Sequence, residues 1–399
     1  MIRNRHGSVI QPPNSDREIP VTELPTIFSH FQGLDDPRVD RTKLHKLIDI
    51  LVIAVCATIC GAETWEDIEE YGNTKQEWLT TFLELPAGIP SHDTFARLFA
   101  ALDPDSFRRC FLSWIQAVSE TIAGDSIAID GKTLRRSFDR GRGKAAIHMI
   151  SAWSSAQRLV LGQLKVDDKT NEITAIPDLL DMLSLKGCIV TIDAMGCQKN
   201  IAEKIVTAEG DYVLALKGNH GRIHDSVKLA FDGATPDLLT RRSQDHWMST
   251  DADHGRIETR RVWVVTDLDW LEEKSDWKGF QSVGIVDSTV EAAGKVTHER
   301  RFFISSLVCC AKDFAVAVRN HWGVESSLHW TLDVTFREDA CRIRRGHAPE
   351  NFAMLRHISL NLLQSTKTKR LSIKTKRLRA GWDNGYLLQV LVGIKNSRP

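Results

Sequence analysis

The chain has 399 residues, 42% of them hydrophobic and 26% charged, and its 52 Lys and Arg balance its 52 Asp and Glu. This composition is typical of a globular protein with a substantial core, and the length predicts two or three domains. A formal net charge of zero excludes overall basicity as the basis of nucleic-acid binding, so any such role depends on local basic patches.

The N-terminal segment and the cysteines indicate in which cellular compartment the protein is expected. Residues 1–25 contain four prolines and scattered charges, which predicts a loose arm, and no apolar core follows as in a secretory signal. The longest apolar stretch, 50–60, is shorter than the about 20 residues that cross a bilayer. The eight cysteines include no C-x-x-C pair, which favours buried free thiols over disulfides or zinc. We therefore expect a cytoplasmic protein without a membrane segment.

Residues 26–120 show helical periodicity and predict an all-helical N-terminal domain. Apolar residues recur at helical spacing in 47–55 and again in 65–82. The residues 91–94 (SHDT) precede a third run and predict the start of a capped helix. A helix that opens after a tight turn is typical of DNA-recognition modules, but its composition fits a plain packing helix equally well.

From Asp125 the pattern changes to alternating strands and helices. A buried strand ends at Asp130, two strands form a hairpin, and a helix, a strand, a helix and a further strand follow. Three antiparallel strands followed by parallel ones match a ribonuclease-H-like α/β fold, so we predict such a catalytic core over 125–365. The predicted elements are strands at 126–130, 146–153, 159–166, 188–193 and 211–216, with helices at 171–183 and 198–209.

Residues 218–300 interrupt this alternation and predict a β-rich insertion. Extra strands are expected at 256–265 and around 282–286 and 298–305. Helices are then expected at 312–320 and 324–336. The remaining residues, 366–399, are predicted to form a basic C-terminal tail.

Two aspartates end predicted buried strands and suggest a metal-dependent site. Asp130 is followed by Gly131, and Asp193 by Ala194. Adjacent strand ends bring side chains together at one edge of an α/β sheet. Two such carboxylates can hold a hard cation, and a third lets two metals act on a phosphodiester. The competing interpretation, that each is a turn former, fits one strand-end Asp better than two in topological order.

The third acid is expected from a later helix. Glu325 is preferred because His321 and His329 lie four residues to either side and so share its helix face. Glu338 and Asp339 follow the point where the helical pattern fades, and we expect them in a solvated turn. The candidates considered are Glu325, Asp333, Glu338 and Asp339.

Basic residues near these acids are candidates for DNA contact. Residues 132–144 carry six Lys or Arg against one acid, directly after Asp130, and 351–382 carry eight and no acid. Such charge neutralises phosphates without reading sequence. A solvated basic face is the competing interpretation, chiefly for 367–379. The candidates in the first segment are Lys132, Arg135 and Arg136, and Lys217 after the last core strand is a further one that fits a surface role equally well.

Five longer motifs stand in order along the chain: 127–135 (IAIDGKTLR), 190–198 (VTIDAMGCQ), 212–219 (YVLALKGN), 255–261 (GRIETRR) and 321–330 (HWGVESSLHW). Together they resemble the H-repeat-associated transposases, bacterial insertion-sequence transposases with a DDE catalytic triad. The resemblance covers about residues 26–392. It implies a helical N-terminal domain, then a ribonuclease-H-like core with a β-rich insertion.

The resemblance also implies roles for individual residues. Asp130 and Asp193 match the two aspartates, and Glu325 matches the glutamate of a Trp-x-Ile-Glu motif in which Val324 replaces Ile. Many relatives place a Tyr and an Arg before that glutamate and a Lys after it. The matching residues here are Val318, His321 and Leu332. The remaining candidates for holding phosphates are Arg256, Arg319, His321 and His329.

The activity so implied is strand cleavage and strand transfer of an insertion sequence. Two divalent ions, Mg²⁺ or Mn²⁺, would be held by the triad, and the partners would be double-stranded DNA at the terminal inverted repeats and the target. A homodimer or larger assembly is expected in the synaptic complex. Two alternatives stay open: a domesticated DNA-binding protein without catalysis, and a ribonuclease-H-like nuclease acting on junctions or hybrids.

Overall fold

A computed structural model describes most of the chain. The described residues are 26–119, 122–138, 141, 143–166, 171–253, 255–366 and 371–392. The predicted N-terminal arm, Arg140 and Arg142 of the basic loop, and parts of the predicted tail lie outside these ranges.

The N-terminal region is helical, as predicted. α1 is almost entirely apolar and is buried nearly all round, and it ends at Gly61, whose φ of 123° suits glycine. α5 begins with Pro104 after Asp103, whose carboxylate accepts the Ser106 N–H. The helices are α1 (Leu47–Cys60), α2 (Trp65–Thr74), α3 (Gln76–Leu79), α4 (His92–Ala101) and α5 (Pro104–Val118).

A single sheet forms the centre of the described structure. Its strand order is β3-β2-β1-β4-β5-β9-β8-β7-β6. β1, β2 and β3 are antiparallel, while β4 and β5 run parallel to β1. The first five strands therefore have the ribonuclease-H-like arrangement that the sequence predicted. The strands are β1 (Ser126–Thr133), β2 (His148–Ser154), β3 (Leu159–Val166), β4 (Ile189–Ile192), β5 (Asp211–Leu216), β6 (Asp245–Asp253), β7 (Arg256–Val265), β8 (Ser282–Ala292) and β9 (Lys295–Ser305).

The two faces of the sheet are covered by different helices. On one face, α6 (Glu172–Asp181) and α7 (Lys199–Thr207) pack against β2, β3 and β5 in an apolar core shared with α1. On the other, α10 (Ala311–His321) packs across β1, β4, β6 and β7 around Phe314. Alternation in β5 shows the division, because Tyr212 and Leu214 belong to the first core and Val213 to the second.

The insertion begins with two helices before its strands. α8 (Arg222–Phe231) and α9 (Pro236–Arg242) precede β6. The three predicted strands are confirmed as β7, β8 and β9, and β9 pairs antiparallel with β5, so the insertion extends the core sheet. β6, of sequence DHWMSTDAD, is mostly exposed and lacks the apolar alternation that would have predicted it.

The C-terminal part is more helical than the predicted tail. After α10, residues Val324–His329 and Thr331–Thr335 are π-helical rather than α-helical. α11 (Ala348–Ser365) is buried between α1 and the sheet, and α12 (Ile373–Trp382) and α13 (Asn384–Val392) pack beside it. No single helix in the described ranges is long and apolar enough to cross a bilayer.

Candidate active site

The register of two parallel strands brings the predicted aspartates side by side. Ile129 of β1 pairs with Ile192 of β4, so Asp130 and Asp193 each follow the same register position on adjacent strands. Neighbouring strands lie about 4.8 Å apart. The sheet thus places the two carboxylates next to each other. The prediction that the first strand ends at Asp130 is wrong, because pairing with β2 continues β1 to Thr133, and only the pairing with β4 ends at Ile129.

The loop after β4 holds the Asp193 carboxylate. Its Oδ1 accepts the backbone N–H groups of Met195 at 3.0 Å and Gly196 at 3.4 Å. A Cβ at position 196 would lie 2.3 Å from Cγ2 of Ile192 and 2.9 Å from Cδ1 of Ile176. Glycine therefore lets the loop fold tightly against the strand and fix the carboxylate.

Glu325 lies close enough to act electrostatically on Asp130. It is exposed at the start of the first π-helical segment, which contacts β1. Burial, together with the charges of Asp193, Glu325 and Glu172, raises the pKa of Asp130 to about 7, against a backbone hydrogen bond from Gly131 that lowers it. The three predicted acids therefore share one electrostatic environment.

The donor set fits a divalent cation by charge and by atom type. The charged side chains that act on Asp130 are all carboxylates, and hard cations such as Mg²⁺ prefer oxygen ligands. In the described residues, however, no three His, Cys, Asp or Glu side chains stand close enough to bind one ion together. The acids therefore lie near one another but are not arranged as ligands of a single ion.

Sequence reasoning missed Glu172, which sits beside Asp130. It accepts a hydrogen bond from His148 Nε2 at 2.6 Å, and His148 Nδ1 lies 2.9 Å from Thr133 Oγ1. A Cβ at position 131 would lie 2.2 Å from the Glu172 carboxylate and 2.5 Å from His148 Nε2. Gly131, whose only sequence signal was a turn after Asp130, is thus needed to admit this pair.

Two partly buried histidines flank the aspartates. His329 Nδ1 is 3.5 Å from Asp130 Oδ2, and burial together with Lys132 lowers the pKa of His329 to about 4. His321 Nδ1 is 3.2 Å from Thr191 Oγ1, and burial lowers its pKa also. Both are neutral at pH 7, so neither supplies the positive charge that the predicted phosphate contact would use.

The prediction that Glu338 lies in a solvated turn is wrong. Its side chain is 2% exposed and accepts a hydrogen bond from Lys132 Nζ at 2.7 Å, with Arg356 Nη1 at 3.7 Å. Lys132 also contacts Asp333 at 2.5 Å. Although burial acts to raise the pKa of Glu338, Lys132 and Arg356 hold it below its usual value. The Lys132 ammonium is thus engaged inside the protein and ties β1 to the segment after Glu325.

Two predicted DNA-contacting arginines line a groove beside Glu325. The groove has a volume of about 850 Å³ and lies between β6–β9 and the helical segments from α10 onward. Arg319 pairs with Asp251 at 2.5 Å, and Arg256 pairs with Glu258 at 3.0 Å. The charges of this groove are therefore largely balanced, and its exposed aromatic residues are Trp322 and Trp330.

The remaining candidates lie on the surface. Lys217 is exposed after β5. Arg135 is 79% exposed and pairs with Asp339 at 3.2 Å, and its neighbour Arg136 is exposed without an acidic partner among the described residues. These three are free to meet a ligand from outside.

Comparison with known proteins gives consistent matches. A family model described as DDE_Tnp_1-associated matches residues 28–115, and one described as Transposase DDE domain matches residues 123–362. The chain is 43% identical over 377 residues to H repeat-associated putative transposase YhhI of Escherichia coli K12, covering 93% of this chain and 99% of that one. It is 47% identical over 287 residues to an uncharacterized protein of the dhlA 3′ region of Xanthobacter autotrophicus, covering 71% and 95%. A cryo-EM structure of a piggyBac transposase synaptic complex with hairpin DNA aligns with a TM-score of 0.41 at 12% identity, over 94% of this chain and 78% of that one.

Proposed function

Since the chain belongs to the transposase family defined by the DDE domain, we propose that it catalyses metal-dependent cleavage and strand transfer of DNA at the ends of an insertion sequence. Asp130, Asp193 and Glu325 are its catalytic carboxylates. The substrates are double-stranded DNA with terminal inverted repeats and a target duplex. The working form is a homodimer or larger assembly that holds two ends together.

One observation supports this proposal above the others. Asp130 and Asp193 follow matched positions on parallel β1 and β4, and burial together with the charges of Asp193, Glu325 and Glu172 raises the pKa of Asp130 to about 7. A purely structural cluster of this kind would be unfavourable, because a partly buried carboxylate among other carboxylates destabilises a fold when no cation balances it. A site that works with bound cations explains why they are gathered here.

Two divalent ions, Mg²⁺ or Mn²⁺, held by the three carboxylates would stabilise developing charge on the phosphodiester and lower the pKa of an attacking water. The chain's own residues position the acids. Lys132 and Glu338 anchor β1 two residues beyond Asp130, and the Asx turn holds Asp193. Neutral His329 beside Asp130 adds no positive charge that would repel a cation.

The first experiment is a nicking assay on supercoiled plasmid that carries the element's ends, with and without Mg²⁺. Asp130→Asn should abolish nicking and strand transfer while binding of an end duplex persists. The matched control is Asp178→Asn, an exposed aspartate on α6, which should nick like the unaltered protein. If Asp130→Asn still cleaves DNA, Asp130 is not a catalytic carboxylate.

Stability separates a catalytic from a structural role in the same variants. The folded-state pKa of Asp130 lies above its ordinary value, so at pH 8 its charge disfavours the folded metal-free protein. Asp130→Asn should therefore raise the thermal unfolding midpoint without metal while activity is lost.

Nicking that needs no inverted-repeat end would favour the nuclease alternative. Mg²⁺-independent DNA binding without any nicking would favour the domesticated one.

A further inference from the structure

Three exposed arginines outside the carboxylate site are free of ion pairs within the part of the chain that the structure describes. Arg136 follows β1, while Arg342 and Arg345 lie in the segment before α11, and all three are exposed. Among the described residues none has an acidic partner. We call these three residues the arginine strip. Two arginines of the groove beside Glu325 differ from the strip, because Arg256 and Arg319 both pair with acids.

Internal contacts fix the two segments of the strip to each other. Arg344 Nε donates to the Arg136 backbone carbonyl at 3.0 Å, and its guanidinium lies 4.8 Å from the Phe138 ring centroid. Lys144 Nζ donates to the Gly346 carbonyl at 3.1 Å. Two regions about 200 residues apart in the chain are thus braced into one surface.

The same segment is anchored to the N-terminal helices. His347 N–H donates to the Ala100 carbonyl at the end of α4, at 3.1 Å. Gly346 has a φ of 53°, and a Cβ there would lie 2.3 Å from the Ala100 oxygen. Because only glycine tolerates this conformation and approach, the position of the strip relative to α4 is set by the backbone.

The strip begins just after β1, six residues beyond Asp130 in the chain, and ends at a cleft. Arg135, next to Arg136, pairs with Asp339 in the segment that also holds Glu338. At the other end, Arg342 and Arg345 line a cleft of about 440 Å³ that is also lined by Glu63 and Glu66, at the start of α2. The favourable path for a polyanion therefore follows the arginines and not these two acids.

We propose that the arginine strip binds the phosphate backbone of duplex DNA and carries it from the carboxylate site towards the N-terminal helices. The proposal rests on the proposed function, which supplies DNA as the ligand. Exposed, unpaired guanidinium groups on a rigid surface bind phosphates with little reorganisation and without reading bases. The strip accounts for affinity that does not depend on DNA sequence, whereas other residues recognise the terminal inverted repeats.

The test measures salt dependence of binding to a fluorescein-labelled 30-base-pair duplex of arbitrary sequence, by anisotropy without metal. Each phosphate contact contributes about 0.9 to the slope of log affinity against log salt concentration. Arg342→Gln/Arg345→Gln should lower the slope by about 1.8 and weaken binding by at least about tenfold at 0.1 M salt. Arg342→Lys/Arg345→Lys should retain most of the slope.

The charge-matched control is Arg241→Gln/Lys278→Gln, which removes two exposed and unpaired cations elsewhere. It should leave the slope unchanged. Equal losses in both double variants, or none in the strip variant, would overturn the proposal. If the strip double variant unfolds, the single variant Arg136→Gln replaces it, with an expected slope change of about 0.9.

Failure of the strip and failure of the proposed function are distinguishable. Nicking by the unaltered protein tests the function, and the slope difference between strip and control variants tests the strip. If the unaltered protein never nicks but the strip variants have a smaller salt slope, the strip proposal is supported and the catalytic proposal is contradicted. If the unaltered protein nicks and the strip variants have the same salt slope as it does, the catalytic proposal is supported and the strip proposal is contradicted.

Discussion

At the scale of single residues, the site is dominated by carboxylates whose partners lie far away in the chain. The sequence pattern predicted Asp130 and Asp193 because it is local, an acid directly after a buried apolar run, although β1 itself continues past Asp130 to Thr133. Glu338 was misplaced because its partner Lys132 lies 206 residues away, and no local pattern reports such a contact. Glu172 was missed for the same reason, since its relation to Asp130 exists only once α6 packs on the sheet.

The pKa of Asp130 leads to a prediction about metal binding. Burial and then neighbouring carboxylates raise it to about 7, so a proton competes with a cation for this group. Mg²⁺ affinity should fall by up to about tenfold for each pH unit below 7 and be nearly constant above pH 8. Isothermal titration calorimetry at pH 6, 7 and 8 measures this.

Glu172→Gln is the informative comparison for that experiment. It removes one of the charges that raise the pKa of Asp130, so the midpoint of the pH dependence should move to lower pH. An affinity that does not change between pH 6 and 8 in the unaltered protein would contradict the prediction.

A second prediction concerns the buried pair of Glu338 and Lys132. Glu338→Gln leaves Arg356 without its counter-charge in a buried place and leaves Lys132 with Asp333 alone, which costs about 3 kcal/mol of unfolding free energy. Urea denaturation measures this loss, and nicking should fall at least about tenfold because Asp130 loses its anchor. Lys132→Met/Glu338→Met should be more stable than Glu338→Gln alone.

The control for this pair is Glu209→Gln, whose partner Lys186 is exposed. Its expected loss is under about 0.5 kcal/mol, as for other exposed ion pairs. Similar losses for Glu338→Gln and Glu209→Gln would show that Glu338 anchors nothing.

At the scale of elements, apolar segments of the sequence predicted the strands reliably, whereas polar or irregular segments did not. β1, β4 and β5 were predictable because strands buried on both faces are almost continuously apolar. β6 is polar and pairs through its backbone, so its composition gave no signal. The π-helical segments around Glu325 share the apolar spacing of an α-helix, and the different hydrogen-bond pattern depends on packing against β1. π-helical turns often occur at functional positions, which agrees with the proposed role of Glu325.

The packing of α10 on β8 gives a prediction at this scale. A Cβ at Gly284 would lie 2.1 Å from Cζ and 2.2 Å from Cε1 of Phe314. Gly284→Val should therefore push α10 off the sheet and cost about 2 to 3 kcal/mol of unfolding free energy. Because α10 leads into the segment with Glu325, nicking should fall as well. Urea denaturation and the plasmid assay measure the two effects.

Gly233→Ala is the control, because nothing lies within 4 Å of a Cβ there. Combining Phe314→Leu with Gly284→Ala should recover part of the stability lost in Gly284→Ala alone. If Gly284→Val unfolds at the same denaturant concentration as Gly233→Ala, the packing argument fails.

At the scale of the whole molecule, the N-terminal helices and the sheet share one apolar interior. α1, α4 and α5 pack on α11, which in turn packs on β3. The sequence predicted the helices and the sheet, but not this shared core, because amphipathic patterns show which face is buried and not what covers it. α11 carries Arg356 and His357, which form a polar cluster with Glu338 and Lys132. Because α11 lies in the shared core, this cluster is linked to overall stability.

The buried histidine of that cluster predicts how stability depends on pH. Burial lowers the pKa of His357 to about 4, and Lys132, His329 and Arg356 lower it while Glu338 opposes them. The folded-state value lies below the ordinary 6.5, so the unfolded chain takes up the proton first as pH falls. Stability is retained above pH 6.5 and decreases towards pH 4, by up to about 3 kcal/mol from this residue.

His357→Gln isolates this contribution. Urea denaturation at pH 7.5, 6 and 5 should show a smaller loss of unfolding free energy on acidification in the variant than in the unaltered protein. Parallel pH profiles for the two proteins would exclude His357 as a source of the acid sensitivity.

The pairing of β9 with β5 also has a mechanical consequence. Continuous backbone pairing from Val213–Ser305 to Leu216–Phe302 joins the insertion to the core, whereas the π-helical segments reach the sheet through side chains. The groove beside Glu325 therefore has one stiff wall and one compliant wall, and we expect its width to change through the helical wall alone. Hydrogen exchange should be slow in β5 and β9 and faster in 324–335, and DNA should slow only the latter.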